Sequence, residues 1–166
     1  VENMSQDRLA SDLARQYRLR YLPPNLNCTS NSSLTAIHFG CQAIEHNGVD
    51  LVLVVNCSKI KTQDLWFLST QSMLDSDPVQ PFGEHSKGVL FAEGFSVLLL
   101  ESARHRRARQ RSGGIRLQTS YMQISAGRSN DSSWLSTSIV KVMQQAVEKA
   151  EIAAGDLCAI IPHGNG

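Results

Sequence analysis

The sequence carries almost no net charge: sixteen Lys and Arg stand against fifteen Asp and Glu, leaving +1. No overall field draws in nucleic acid or an anionic membrane, so neither is expected as a partner, and any partner is recognised locally. Long apolar runs are missing too. Runs such as Leu51 to Val55 and Val97 to Leu100 are strand-sized, well short of the roughly 18 residues of a membrane span. The N-terminus lacks a signal-peptide pattern, which points to the cytoplasm. There is no internal repeat and no low-complexity tract. The four cysteines, Cys28, Cys41, Cys57 and Cys158, form no Cys-x-x-Cys pair, so neither a zinc site nor a disulfide framework is expected. Free, mostly buried thiols in a reducing compartment are the economical reading.

What is present is an ordinary globular composition, 42% hydrophobic over 166 residues, enough for one domain with a substantial core. Apolar residues recur at helical spacing from Ser5 to Leu19, and Pro23-Pro24 stops that helix. Asn25 to Thr29 reads as a short strand. Leu34, Ile37, His38, Cys41, Ala43 and Ile44 make a second helix, ending at the His46-Asn47-Gly48 C-cap signal. Leu51 to Val55 alternates nothing, as a central strand covered on both faces would, and its flanking helices indicate an α/β layered fold. Ile60 to Met73 reads as helix, Asp75 to Lys87 as a long surface loop, and Gly88 to Ala92 and Phe95 to Leu100 as two strands. Ile115 to Ile124 alternates as a long strand, Gly127 to Ser133 is a loop, Trp134 to Ala150 is an amphipathic helix, and Leu157 to Ile161 is a last strand.

Two stretches attract functional readings. The run Arg104 to Arg111 is the densest charge in the chain, but it has neither aromatics for base stacking nor a fuller basic footprint, so a solvated helix face is the better account. Asn27 to His38 is a small polar cluster entering the second helix. A tight turn of small residues at a helix start leaves amide N–H groups uncovered and places developing negative charge at the positive end of the helix dipole, as a nucleophile elbow requires. A Ser/Thr-rich N-cap would look the same locally. His163, in a glycine-rich loop after the last strand, stands where α/β folds place their sites, and a solvated loop histidine is the plain alternative.

The order of these pieces resembles the β-ketoacyl synthases of polyketide and fatty-acid biosynthesis. Ser30-Asn31-Ser32-Ser33-Leu34-Thr35-Ala36-Ile37-His38 is similar to the family's Cys-Ser/Ala-Ser-Ser-Leu-x-Ala-x-His turn and helix, with Ser30 at the cysteine position. Leu34, His38 and Asp50 set that register, whereas Pro24-Asn25 alone would shift the nucleophile toward Ser32. His38 to Ile44, Asp50-Leu51-Val52-Leu53, Pro81-Phe82, Gly88 to Gly94 and Gly127-Arg128-Ser129-Asn130 resemble further family motifs in family order. His163-Gly164-Asn165-Gly166 resembles His-Gly-Thr-Gly, whose histidine belongs to the Cys-His-His catalytic set. Departures include Val55-Asn56-Cys57 for Gly-Gly, Gly83 for the Asp after Pro-Phe, and Phe91 for the Arg before Gly-Glu-Gly.

The resemblance implies a thiolase-like layered α-β-α fold, with residues 1–166 spanning part of a ketosynthase domain from the nucleophile-elbow region to the first catalytic-histidine loop. The family's earlier part, and its later layer with a lysine and second catalytic histidine, are not in these residues. It implies an acyl carrier protein as partner, delivering substrate on its phosphopantetheine arm, with no other cofactor and no metal. A homodimer or a paired ketosynthase-like subunit is also implied. Ser30 and His163 become the candidate catalytic residues, and Cys41 a packing residue. Cys28 is either a displaced thiol nucleophile or, by strand alternation, a core residue. Serine ionises far less readily than cysteine and its ester is less electrophilic than a thioester, so chain elongation is not expected. Acyl transfer through Ser30, malonyl decarboxylation, and a non-catalytic partner or scaffold role remain.

Overall fold

The computed structural model describes residues 6–20, 24–46, 48–74, 80–124 and 132–164. Helix α1 runs Gln6–Gln16, α2 Ser32–His46, α3 Thr62–Thr70, α4 Ala103–Ala108 and α5 Ser132–Lys149, and the strands are β1 Leu51–Ser58 and β2 Gly94–Glu101. The Gly127–Ser133 loop falls mostly outside the described residues.

The centre of the molecule is the antiparallel pair β1–β2, aligned from Leu51 opposite Glu101 to Ser58 opposite Gly94. Side chains alternate along a strand, and directly opposed residues share a face. Val52 and Leu100 face α2, which crosses so closely that a Cβ on Gly40 would stand 2.6 Å from Leu100 Cδ1 and 3.2 Å from Val52 Cγ1. Only a residue without a side chain lets that helix approach. The helix closes at Gly48, whose φ of +70° suits glycine and ends the helix by a left-handed turn. The well-buried residues are few and gather here and under α3 and α5: Thr35, Val54, Leu68 and Ala150.

The opposite face is Leu51, Leu53 and Val55 against Leu99 and Val97, with Phe95 opposite Cys57. Among the described residues nothing covers it: Leu53 is 46% exposed, Leu99 57%, Val97 64% and Phe95 69%. The expectation of a central strand sheltered on both sides is corrected accordingly, since one face of β1 has its helix and the other is bare. Four expected strands are corrected as well. Asn25 to Thr29, Ile115 to Ile124 and Leu157 to Ile161 are not in a ladder, and Gly88 to Ala92 contributes only an isolated bridge from Val89 to Leu74. An extended segment becomes a strand only when a neighbour takes its N–H and C=O groups, and these segments have no such neighbour among the described residues.

Acidic residues at one end of the β1–β2 pair anchor the arginine helix. Ser102 caps α4 by accepting from the His105 N–H and donates to Asp50, which Arg104 also engages through Nη2 at 2.8 Å. Glu101 accepts from Arg109 and is bonded to His105 Nδ1 at 2.7 Å. The arginine run is thus a surface helix, as its composition indicates, with Arg104 and Arg109 already neutralised.

Candidate active site

The polar cluster forms a turn. Thr29–Asn31 is a single 3-10 turn leading into α2, closed by the Asn31 N–H donating to the Cys28 carbonyl at 3.2 Å. Ser32, the first residue of α2, accepts the Cys28 N–H on its hydroxyl at 2.9 Å. These two bonds make the tight entry that small residues permit, and Ser30 stands exposed within it. Helix geometry leaves the first-turn amides of α2 without intrahelical partners, at the positive end of the helix dipole. Cys28 is exposed, which corrects the expectation that it turns into the core: with no strand over Asn25 to Thr29 there is no alternation to turn it inward. The wider expectation of mostly buried thiols is corrected with it. All four cysteines are free, Cys158 is exposed, and Cys41 and Cys57 are half-buried.

No hydrogen bond joins Ser30 to His163 among the described residues, and His163 is exposed. The imidazole nearest Ser30 in sequence, His38, is engaged elsewhere, its Nδ1 lying 2.9 Å from Ser120 Oγ. Ser120 was not singled out by sequence reasoning. It ties its own segment to two helices: its hydroxyl meets His38 and Cys41 of α2, and its carbonyl accepts from Lys149 of α5 at 3.3 Å. Burial first, then Glu45, pushes the Cys41 thiol above its ordinary value, with the Ser120 hydrogen bond and Lys149 opposing. A thiol so held stays protonated and packs, as expected of Cys41. An apolar cleft of about 430 Å³ lies between α5 and the segment after it, lined by Met143, Val147, Leu157 and Ile160.

Another pair of loops meets near His163. The Gly83 N–H donates to the Gln80 carbonyl at 2.8 Å, and Phe82 between them has φ +61°. Pro in the second place and a left-handed residue in the third is the pattern of a type II turn, where glycine or asparagine ordinarily fills the third. A bulky residue held there costs of order 1–3 kcal/mol. The turn touches the His163 loop: a Cβ on Gly164 would lie 2.6 Å from Phe82 Cε2 and 2.9 Å from Pro81 Cβ.

Residues 25–106 match the family model of the β-ketoacyl synthase N-terminal domain. That region belongs to the β-ketoacyl synthase family. A curated relative, the highly reducing polyketide synthase dmxL2 of Cryptosporiopsis sp. (strain 8999), is 28% identical over 95 residues, covering 56% of this chain and 4% of that protein. Among solved structures, a β-ketoacyl synthase from Burkholderia phymatum STM815 superposes with TM-score 0.74 at 19% identity, over 95% of this chain and 40% of that one. The ketosynthase of AntDE:AntF, a type II polyketide synthase acyl-carrier protein in complex with its hexaketide-bound ketosynthase, superposes at 0.72 with 17% identity, over 91% and 39%. The chain therefore has the α/β ketosynthase fold while spanning two fifths or less of the length of these proteins. The matched region holds the Ser30 turn, α2, the β1–β2 pair and the Phe82 turn. His163 and Ser120 lie beyond it.

Proposed function

We propose that this segment is a non-elongating ketosynthase-like module that acts on acyl groups carried by an acyl carrier protein, with Ser30 as acyl acceptor and His163 as its base. The observation that carries the reading is the exposed Ser30 in the turn that opens α2, inside the family-matched region. Ser30 is favoured over Ser32 because the Ser32 hydroxyl already holds the Cys28 N–H. In the reaction the Ser30 Oγ attacks the thioester carbonyl as its proton passes to His163. The first-turn amides of α2 hold the oxyanion, and the C–S bond breaks so that the phosphopantetheine thiol leaves with the proton. Serine needs a base within hydrogen-bond reach, so Ser30 comes within reach of His163 when the carrier docks. If the nucleophile plays no part, malonyl decarboxylation is the chemistry left to the histidine.

Mass spectrometry of the protein after incubation with an acyl-loaded carrier protein tests this. An adduct on Ser30 is expected. An adduct on Cys28 instead would transfer the role to that exposed thiol, and no adduct on either would overturn acyl transfer, leaving carbon dioxide release from malonyl-carrier as the measure of decarboxylation.

A second reading is favoured by a separate observation. The face of β1–β2 away from α2 is apolar and open, with Leu53, Leu99, Val97 and Phe95 46–69% exposed, and exposed apolar patches mark interaction surfaces. In this reading the segment pairs with a second ketosynthase-like subunit whose surface covers the bare face of β1–β2, and it supports an active partner without acting itself.

A further inference from the structure

We infer that Phe82 is a positioning residue for His163, its ring packed on Gly164 so that the histidine loop has one resting place. This rests on the reading of His163 as the base of the Ser30 site.

Two independent features converge on it. The first is conformational. Phe82 occupies the place in the Gln80–Gly83 turn that glycine takes at no cost, and φ is +61° all the same. The side chain is not retained for its own burial, since it is 73% exposed. Strain that neither the turn nor the core repays is retained for what the side chain touches. The second feature is that contact. Gly164 follows His163 directly, and its backbone lies so close to the Phe82 ring that a Cβ would come within 2.6 Å of Cε2 and 3.0 Å of Cζ. Pro81 flanks the same spot at 2.9 Å and locks the preceding φ. The two side chains make a shelf that a larger residue at 164 would have to displace.

The shelf matters because residues 157–164 are extended but belong to no ladder among the described residues. A loop without ladder bonds has few constraints of its own, and a displacement of about 1 Å at a general base can cost on the order of 100-fold in rate. Packing Gly164 on a turn whose shape is fixed by Pro81 and by the Gln80–Gly83 hydrogen bond supplies the missing constraint.

Phe82→Gly and Gly164→Ala separate the possibilities. Phe82→Gly removes the ring and relieves the turn, so its melting temperature should hold or rise. Its His163 side-chain resonances, followed by carbon-detected NMR, should broaden or split, and acyl transfer to Ser30 should fall about 10- to 100-fold in kcat with little change in KM. Phe82→Tyr, which keeps the ring, should restore both readouts. Gly164→Ala should disturb the His163 resonances in the same way by driving the shelf apart. Resonances of His163 in Phe82→Gly that superimpose on the unmodified protein would overturn the inference. So would a melting temperature that falls in step with activity, because the ring would then be ordinary packing. Failure of the unmodified protein to acylate Ser30 would sink the proposed function alone, since the NMR comparison does not depend on turnover.

Discussion

At residue scale the chemistry turns on one atom. On the proposed reading Ser30 carries oxygen where the resemblance places the family's cysteine sulfur, in an exposed turn at the start of α2. A few per cent of a cysteine is thiolate near neutrality without help, and a helix N-terminus raises the share, whereas a serine depends wholly on its base. Replacing Ser30 by Cys should therefore speed acyl-adduct formation by roughly 100-fold or more, read by mass spectrometry against time with the same acyl carrier. Equal rates in the two proteins would show that the nucleophile is not what limits the site, and the departures at Val55-Asn56-Cys57, Gly83 and Phe91 would be the better cause. The tight turn into α2 was legible from the order of small residues before Leu34 and His38. The exposure of Cys28 was not, because it depended on whether Asn25 to Thr29 finds a strand partner. Ser120 was illegible for a related reason: a serine in an alternating stretch gives no sign that a histidine 82 residues earlier will come within 2.9 Å of it.

At the scale of elements, the attachment of α4 is electrostatic and should follow pH. Hydrogen bonds from Arg109 first, and then from His105, hold the Glu101 carboxyl down to about 2. The Ser102 hydroxyl and then Arg104 lower Asp50 as well. A carboxylate depressed in the folded state contributes fully above its ordinary pKa, near 4.3 for Glu, and the contribution is lost as pH falls toward the folded value. Protection of the α4 amides against hydrogen exchange, corrected for intrinsic rates, should therefore decline between about pH 4.5 and 2. In Glu101→Gln the decline should shrink to the part that Asp50 supplies. Protection that stays level across this window in the unmodified protein would show that α4 is held by other contacts. The helices themselves were readable from period and caps: the expected Trp134 to Ala150 helix is Ser132–Lys149, and the second helix ends at His46 as its C-cap signal indicates. Strands were read less well, since half of a strand's definition lies in its neighbour.

At the scale of the whole molecule, the apolar face of β1–β2 controls behaviour in solution. Covering Leu51, Leu53, Val55, Phe95, Val97 and Leu99 would be worth roughly 10 kcal/mol at about 25 cal/mol per Å². Exposed apolar patches of this size mark interaction surfaces. At micromolar concentration the chain should sediment as a dimer or larger, or as a complex when co-produced with a ketosynthase-like partner. Leu53→Lys combined with Val97→Lys should reduce it to monomer with its helix content unchanged by circular dichroism. A monomeric unmodified chain would count against the paired-subunit reading. Among the described residues no helix is long and apolar enough to cross a membrane.

Local signals decided a good deal without any tertiary information. Period and caps placed the helices, the apolar runs placed the two strands that pair, and the ordered set of small-residue turn, helix, apolar strand and histidine loop pointed to the family and the α/β class. Those features are written in neighbouring residues, where sterics and hydrogen bonding act over a few positions. The tertiary structure alone decided which extended segments became strands, that one sheet face lies bare, that His38 turns to Ser120, and that Phe82 accepts a left-handed backbone to meet Gly164. Each of these depends on a group far away in sequence, and burial, pairing and close approach belong to the pair and not to either residue.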